Sequence, residues 1–197
     1  MAAPFFAPEH WSGSGLVLRS PRPGDGDHLA AALNGSYEHL HRFLPWAVPE
    51  EDPLECEARS RRFRAKYLLN EDYVVFILDP TESRILGGTG FHLRGNSIAS
   101  HRAEVGMWIS ASAAHSGTGT RALIEMLSWG FSEWPFYRLN WKCSSQNLGS
   151  RRVAEKAGMI LECTERRAFD VEGESPHDQL TFVAFRDEWS PPHLARR

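Results

Sequence analysis

The chain has 197 residues and a formal net charge of −3, with 42% hydrophobic and 24% charged residues. This is the composition of one folded domain and not of a disordered chain, and its slight acidic excess argues against a general nucleic-acid surface. No stretch reaches the roughly 20 apolar residues of a membrane helix, and three scattered cysteines without a CxxC pair argue against a disulfide framework or a zinc site.

Residues 1–15, rich in Pro, Gly and Ala, read as a loose arm, with no basic residue ahead of the apolar part as a secretory signal would have. A reducing, cytoplasmic setting is therefore the expectation. Leu16–Arg19 reads as a short strand, and a helical pattern runs from about Asp27 to Phe43, with Pro45 ending it. Asp52-Pro53 is a helix start, Asp as cap and Pro at the first helical position, and apolar residues continue at helical spacing to Leu69. Tyr73–Leu78 and Ile85–Arg94 read as strands, and glycines 87, 88 and 90 in the second predict a bulge or a close approach to the backbone. Arg102–Ser110 completes a meander.

The texture then changes. Ser116-Gly117-Thr118-Gly119-Thr120 opens an amphipathic helix closed by Pro135, with Leu123, Met126, Leu127, Phe131 and Trp134 on one face. A strand over 137–143, a helix from Asn147 ended by Gly158, a strand to Phe169 and a last strand over 179–185 follow, with a frayed tail from Ser190. The expected fold is a single mixed α/β domain over 16–189. Its sheet is mostly antiparallel, with one right-handed βαβ unit formed by strand 102–110, helix 117–134 and strand 137–143.

The loop 116–120 has two readings. Its glycines and the free first amides of the helix suit a pyrophosphate; a plain glycine-rich helix entry explains the same residues. A Walker loop is excluded by the missing Lys, and a dinucleotide fingerprint by the missing acidic residue about 20 positions on, where the chain reads Phe136-Tyr137-Arg138-Leu139-Asn140.

Three segments together resemble a known family. Glu104-Val105-Gly106-Met107-Trp108-Ile109, His115 through Leu123, and Asn147 through Met159 resemble the GNAT superfamily of acetyl-CoA-dependent N-acetyltransferases over about residues 16–186. The branch most similar is the Rim type, whose named members acetylate N-termini of ribosomal proteins. The string His39-Leu40-His41-Arg42-Phe43-Leu44-Pro45-Trp46 also resembles that branch.

The resemblance implies a set of roles. Ser116, Gly117, Thr118, Gly119 and Thr120 would bind the cofactor pyrophosphate, although Ser116 and Arg121 depart from the usual loop residues. A backbone amide near Trp108 or Ile109 would polarise the thioester carbonyl where the two parallel strands splay apart, and a bulge at Gly106 fits this. Glu104, a strand-edge carboxylate on its residues alone, would be the base. Asn147, on its residues a helix cap, would also touch the pantetheine arm. The family often has a tyrosine acid where this chain has Ala154, which leaves Ser150, otherwise a first-turn serine, to stabilise and protonate the thiolate. His115 has a phosphate contact or plain exposure open to it, and His39 and His41 an acceptor-site position or a helix surface. Cys143 reads as core.

The implied activity is acetyl transfer from acetyl-CoA, with no metal, to an amine-bearing acceptor in a ternary complex. The acceptor is a protein or peptide N-terminus, with a small amine or antibiotic as an alternative. A non-catalytic acyl-CoA-binding module is the alternative of a different class. Neither nucleic acid nor membrane is expected as a partner, and a homodimer is left open.

Overall fold

A computed structural model describes residues 4–192. Residues 1–3 of the predicted arm and 193–197 of the predicted tail lie outside the described residues. The elements, in chain order, are β1 (His10–Gly13), β2 (Leu16–Arg19), α1 (Gly26–Asn34), α2 (Tyr37–Leu40), α3 (Pro53–Leu68), β3 (Tyr73–Leu78), β4 (Ile85–His92), β5 (Arg102–Ile109), α4 (Thr118–Ser132), β6 (Arg138–Ser144), α5 (Leu148–Lys156), β7 (Ile160–Phe169) and β8 (His177–Phe185). They form one eight-stranded sheet in the order β1-β2-β3-β4-β5-β6-β8-β7. All neighbours are antiparallel except β5 and β6, the ends of the βαβ unit.

Alternation sorts the core into two layers. In β3, Val75 and Ile77 face α4 and join Phe91, Trp129, Trp134 and Phe136. Phe76 and Leu78 face the other way and join Leu29, Leu33 and Cys56 of α1 and α3. A strand buried on both faces must read as the unbroken apolar run Tyr73–Leu78. At about 25 cal/mol per Å² of apolar area, each fully buried large side chain contributes about 1.5–3 kcal/mol.

Four expectations are corrected. The helix from 27 to 43 is two helices, broken at Gly35-Ser36, because the Ser36 hydroxyl donates to the Ala32 carbonyl (2.6 Å) and accepts from the Ala111 amide (2.9 Å). That exchange ties the turn to the segment after β5. The arm is not loose over 10–13, where β1 pairs with β2. Trp11 donates to Glu125 of α4 (2.8 Å), Ser14 donates to the same carboxylate (2.6 Å), and Arg121 donates to the Ser14 carbonyl (2.8 Å). In addition, β5 has no bulge at Gly106, since its register with β4 is unbroken from Glu104 to Ile109. The irregularity lies in β4 instead, where Ile77 pairs with Gly87 but Leu78 with Ile85. At the other end of the domain the start of the tail is packed, with Pro192 and Trp189 lying against Gly158.

Candidate active site

The parallel pair β5–β6 is short. Arg102, Ala103 and Glu104 pair with Arg138, Leu139 and Asn140, and the ladder then stops, although β5 continues to Ile109 and β6 to Ser144. Beyond Asn140, β6 stays in register with β8 down to Ser144–Gln179, while β5 stays with β4. Each strand follows its antiparallel neighbour, so the two part. The Ser110 amide donates to the Leu86 carbonyl (2.8 Å). Hydrogen-bonded and free positions alternate along an antiparallel pair, so the Trp108 amide also faces β4, while those of Met107 and Ile109 face the interval that β6 has left. Of the two amides the sequence offered, that of Ile109 faces the interval, as does that of Met107, one step deeper.

The loop after β5 closes on this interval. Ser116 donates to the Ala113 carbonyl (2.8 Å) and pairs with the Thr118 hydroxyl (2.8 Å), so its side chain shapes the loop. Gly117 takes the left-handed conformation (φ 80°) at the cap of α4, where a side chain is strained. No side chain caps α4, and Arg121 is the first residue whose amide returns a bond, to Gly117 (3.0 Å). The amides of Thr118, Gly119 and Thr120 therefore sit at the positive end of a 15-residue helix, the arrangement that binds anions. Arg121 reaches the β1–β2 turn, where it donates to the Ser14 carbonyl, and its other nitrogen lies 3.4 Å from the Thr118 hydroxyl. A Cβ at Gly119 would lie 3.5 Å from Ile109 and 3.4 Å from Val153, so β5, α4 and α5 meet at this glycine.

On the opposite wall, Asn147 caps α5 by accepting from the Ser150 amide (3.0 Å). The Ser150 hydroxyl oxygen accepts from the buried Trp141 indole (3.0 Å), which leaves its proton to give. Burial pushes the Cys143 thiol up, partly offset by the neighbouring Ser150 hydroxyl. Ala154 is fully buried in the main core.

Glu104 stands where β5 and β6 part. Its Oε1 accepts from Arg94 Nη2 (2.7 Å) and Nε (3.1 Å), and Lys142 Nζ lies 3.8 Å from Oε2. Neither cation was singled out in the sequence. The face of the sheet away from α4 carries a cavity of about 600 Å³, walled by α1, α3 and Trp46. Its floor is made by glycines. A Cβ at Gly88 would lie 2.3 Å from the Trp108 indole, and one at Gly106 would lie 3.1 Å from the His92 ring. The strand glycines thus mark close approach of flat rings to the backbone. The Trp108 side chain belongs to this cavity, edge-on to Trp46 at 6.3 Å between ring centroids. Neither His39 nor His41 is among its walls: His39 packs against His115 beside the loop (6.2 Å), and His41 stacks on Tyr37 (4.7 Å). Burial, and then repulsion from His115, lower the His39 pKa below its ordinary 6.5.

Residues 15–160 match the model of an acetyltransferase (GNAT) domain. The chain belongs to the GNAT acetyltransferase family. As a GNAT enzyme it is an acetyl-CoA-dependent N-acetyltransferase. Among relatives, the N-acetyltransferase YjdG of Bacillus subtilis (strain 168), itself uncharacterised, is 32% identical over 77 residues, which is 39% of this chain and 45% of that protein. YdaF of the same strain, provisionally named a ribosomal N-acetyltransferase, is 23% identical over 88% of this chain and 93% of its own. Two solved structures share the fold. One is the microcin C7 self-immunity acetyltransferase MccE with acetyl-CoA and AMP (TM-score 0.75, 20% identity, 88% and 93% of the two chains). The other is RimL, a ribosomal L7/L12 alpha-N-protein acetyltransferase, with coenzyme A (TM-score 0.76, 18% identity, 88% and 95%).

Proposed function

We propose that this GNAT enzyme transfers the acetyl group of acetyl-CoA to a primary amine, the N-terminal α-amine of a protein or peptide, in a reducing, cytoplasmic setting. The observation that carries the reading is the parting of β5 and β6 after Glu104 and Asn140, with the uncapped α4 at one end of the interval and a separate cavity on the other face. Gly117 through Thr120 hold the pyrophosphate, and Met107, Ile109 and Asn147 supply donors and acceptors along the pantetheine arm. The acceptor enters from the cavity, where Trp46 and Trp108 offer apolar walls and Asp72 supplies negative charge, with Glu104 beside it paired to the lining Arg94.

The chemistry follows from these positions. An α-amine titrates near 7.7–8.0, so removing its proton needs only a modest base, and Glu104 stands as that base, directly or through water. The neutral amine attacks the thioester carbon, whose oxygen takes a backbone N–H of β5. The C–N bond forms as the nitrogen gives up its proton, the C–S bond breaks, and the thiolate is protonated through Ser150, whose hydroxyl regains a proton from solvent. Holding both reactants in line replaces a bimolecular encounter. Similarity to RimL, a ribosomal L7/L12 alpha-N-protein acetyltransferase, and to YdaF supports a protein N-terminus as acceptor. The test is acetyl-CoA-dependent thiol release against a panel of peptides with free or blocked N-termini, lysine side chains and small amines, with products read by mass. Acetylation confined to free α-amines supports the reading; acetylation of small amines alone, or tight acetyl-CoA binding with no acceptor at all, overturns it.

A further inference from the structure

The mechanism above leaves unused a second titratable pair, close to the reacting centre. His92 Nδ1 lies 2.8 Å from Asp72 Oδ1, and both residues line the cavity. Tyr73 pairs with Phe91, and His92 pairs with Glu104, so Asp72, His92 and Glu104 form a row across β3, β4 and β5. The ring does not stay in that row. It lies over the directly opposed glycines 90 and 106, and a Cβ at either would fall 3.1 Å from His92 Nε2. No side chain at either position lifts the imidazole off the sheet, and its Nε2 edge reaches inward along β5 to the level of Gly106.

We propose that His92, oriented by Asp72, is a further catalytic residue: the group that takes the proton from the acceptor amine. This rests on the acetyl-transfer reading above, and it redirects the proton route given there to Glu104. The Asp72 carboxylate accepts Nδ1–H, which fixes the tautomer in which Nε2 carries the free lone pair. Nε2 takes the proton from the amine nitrogen as the C–N bond forms. The resulting imidazolium keeps its Nδ1–H bond to Asp72 and returns the proton to solvent through the cavity. Position favours His92 over Glu104. Gly106, beneath Nε2, is one residue from the Met107 amide that faces the interval, whereas Glu104 is three residues, roughly 10 Å of strand, away. Occupancy favours it too, since Glu104 is shared between Arg94 and Lys142 while, among the described residues, Nε2 has no hydrogen-bond partner. Asp72 contacts the ring, Arg94 and Arg59 are the other charged groups that line the cavity, and Glu104 pairs with Arg94 beside it. Glu104 then serves to hold the ammonium and to balance Arg94 and Lys142.

The test compares His92→Gln, His92→Ala, Asp72→Asn and Glu104→Gln by steady-state kinetics with the best acceptor of the panel, with acetyl-CoA affinity by calorimetry as the check on folding. The expected result is a kcat loss of about 100- to 10,000-fold in His92→Gln, the range of a lost general base. Asp72→Asn should also lose kcat, by up to about 10⁴-fold, the loss when the carboxylate that fixes a catalytic histidine's tautomer is neutralised, and acetyl-CoA affinity should be kept throughout. Added imidazole should restore His92→Ala, whose missing ring leaves a slot over two glycines, and should do nothing for Glu104→Gln. His92→Gln within twofold of the parent overturns the inference and leaves acetyl transfer standing. So does a His92→Ala loss that imidazole does not restore, combined with a larger loss in Glu104→Gln. A parent enzyme inert toward every amine overturns the acetyl-transfer reading, and this inference with it.

Discussion

Ser150→Ala separates chemistry from packing at the thiolate end of the site. In the folded protein the Ser150 oxygen accepts from the Trp141 indole at 3.0 Å, and Trp141 is only 5% exposed. Removing the hydroxyl leaves a buried N–H without its acceptor, which costs about 1–3 kcal/mol of stability. At about 2–4 °C per kcal/mol for a chain of this size, the melting temperature should fall by about 2–12 °C. The rate effect is a separate quantity. Loss of one acid or charge-stabilising donor removes about 1.4–4 kcal/mol of transition-state stabilisation, roughly 10- to 1000-fold in kcat. Acetyl-CoA affinity should change by less than about threefold, because the anion-binding amides of α4 are untouched. Trp141→Phe is the control: it breaks the same hydrogen bond from the other side but keeps the hydroxyl, so it should share the loss of stability and keep kcat within about tenfold. The assays are thermal melting, calorimetry and steady-state turnover on the three proteins. If Ser150→Ala melts early but turns over within twofold of the parent, the hydroxyl is an acceptor for Trp141 and nothing more. If Trp141→Phe loses as much kcat as Ser150→Ala, the effect is one of packing.

Gly117→Val should strain a left-handed position by about 1–2 kcal/mol and crowd the open side of the loop, weakening acetyl-CoA binding at least about tenfold by calorimetry; unchanged affinity would place the pyrophosphate elsewhere. Arg19→Met should cost about 3–5 kcal/mol, a melting shift of about 6–20 °C, because buried Arg19 is held by Asp25 (2.7 Å) and Glu82 (2.7 Å) and its loss strands the buried Asp25 carboxylate; a loss below about 1 kcal/mol contradicts this. His39 is held below its ordinary 6.5, so the unfolded chain binds its proton first, and this contribution to stability is present above that value and lost as pH falls below it. His115→Ala should raise the His39 pKa in a chemical-shift titration and flatten that slope; no movement would leave burial as the whole cause.

Local signals in the sequence carried most of the architecture. Asp52-Pro53 starts α3 where expected, with Asp52 accepting from Leu54 (2.6 Å) and Glu55 (3.3 Å), and the βαβ unit is parallel. Short elements without a period were not legible. His10–Gly13 carries no alternation and becomes a strand only because Trp11 and Ser14 find Glu125, more than a hundred residues away. The helix break at Ser36 likewise depends on a distant amide, that of Ala111. For the site, the resemblance led to the loop, Asn147, Ser150 and Glu104, and the structure brings the loop, α5 and β5 together at Gly119. The cavity was not legible. His92 and Asp72 become neighbours only once the β3–β4 register is known, and the alternating Gly88 and Gly90 were readable as a close approach but not as the beds of two rings. Trp108 was read as a cofactor neighbour because its strand borders the interval, whereas strand alternation sends its ring to the other face.

The central claim is that the interval between β5 and β6 receives acetyl-CoA while the cavity on the opposite face receives the amine. A crystal structure of the protein with acetyl-CoA and an acceptor peptide tests it most directly. The account predicts the pyrophosphate on the amides of Gly117 through Thr120, the thioester oxygen on a backbone amide of Met107 or Ile109, and the peptide amine beside His92. Acetyl-CoA bound away from α4, or both ligands entering from one face, would contradict it.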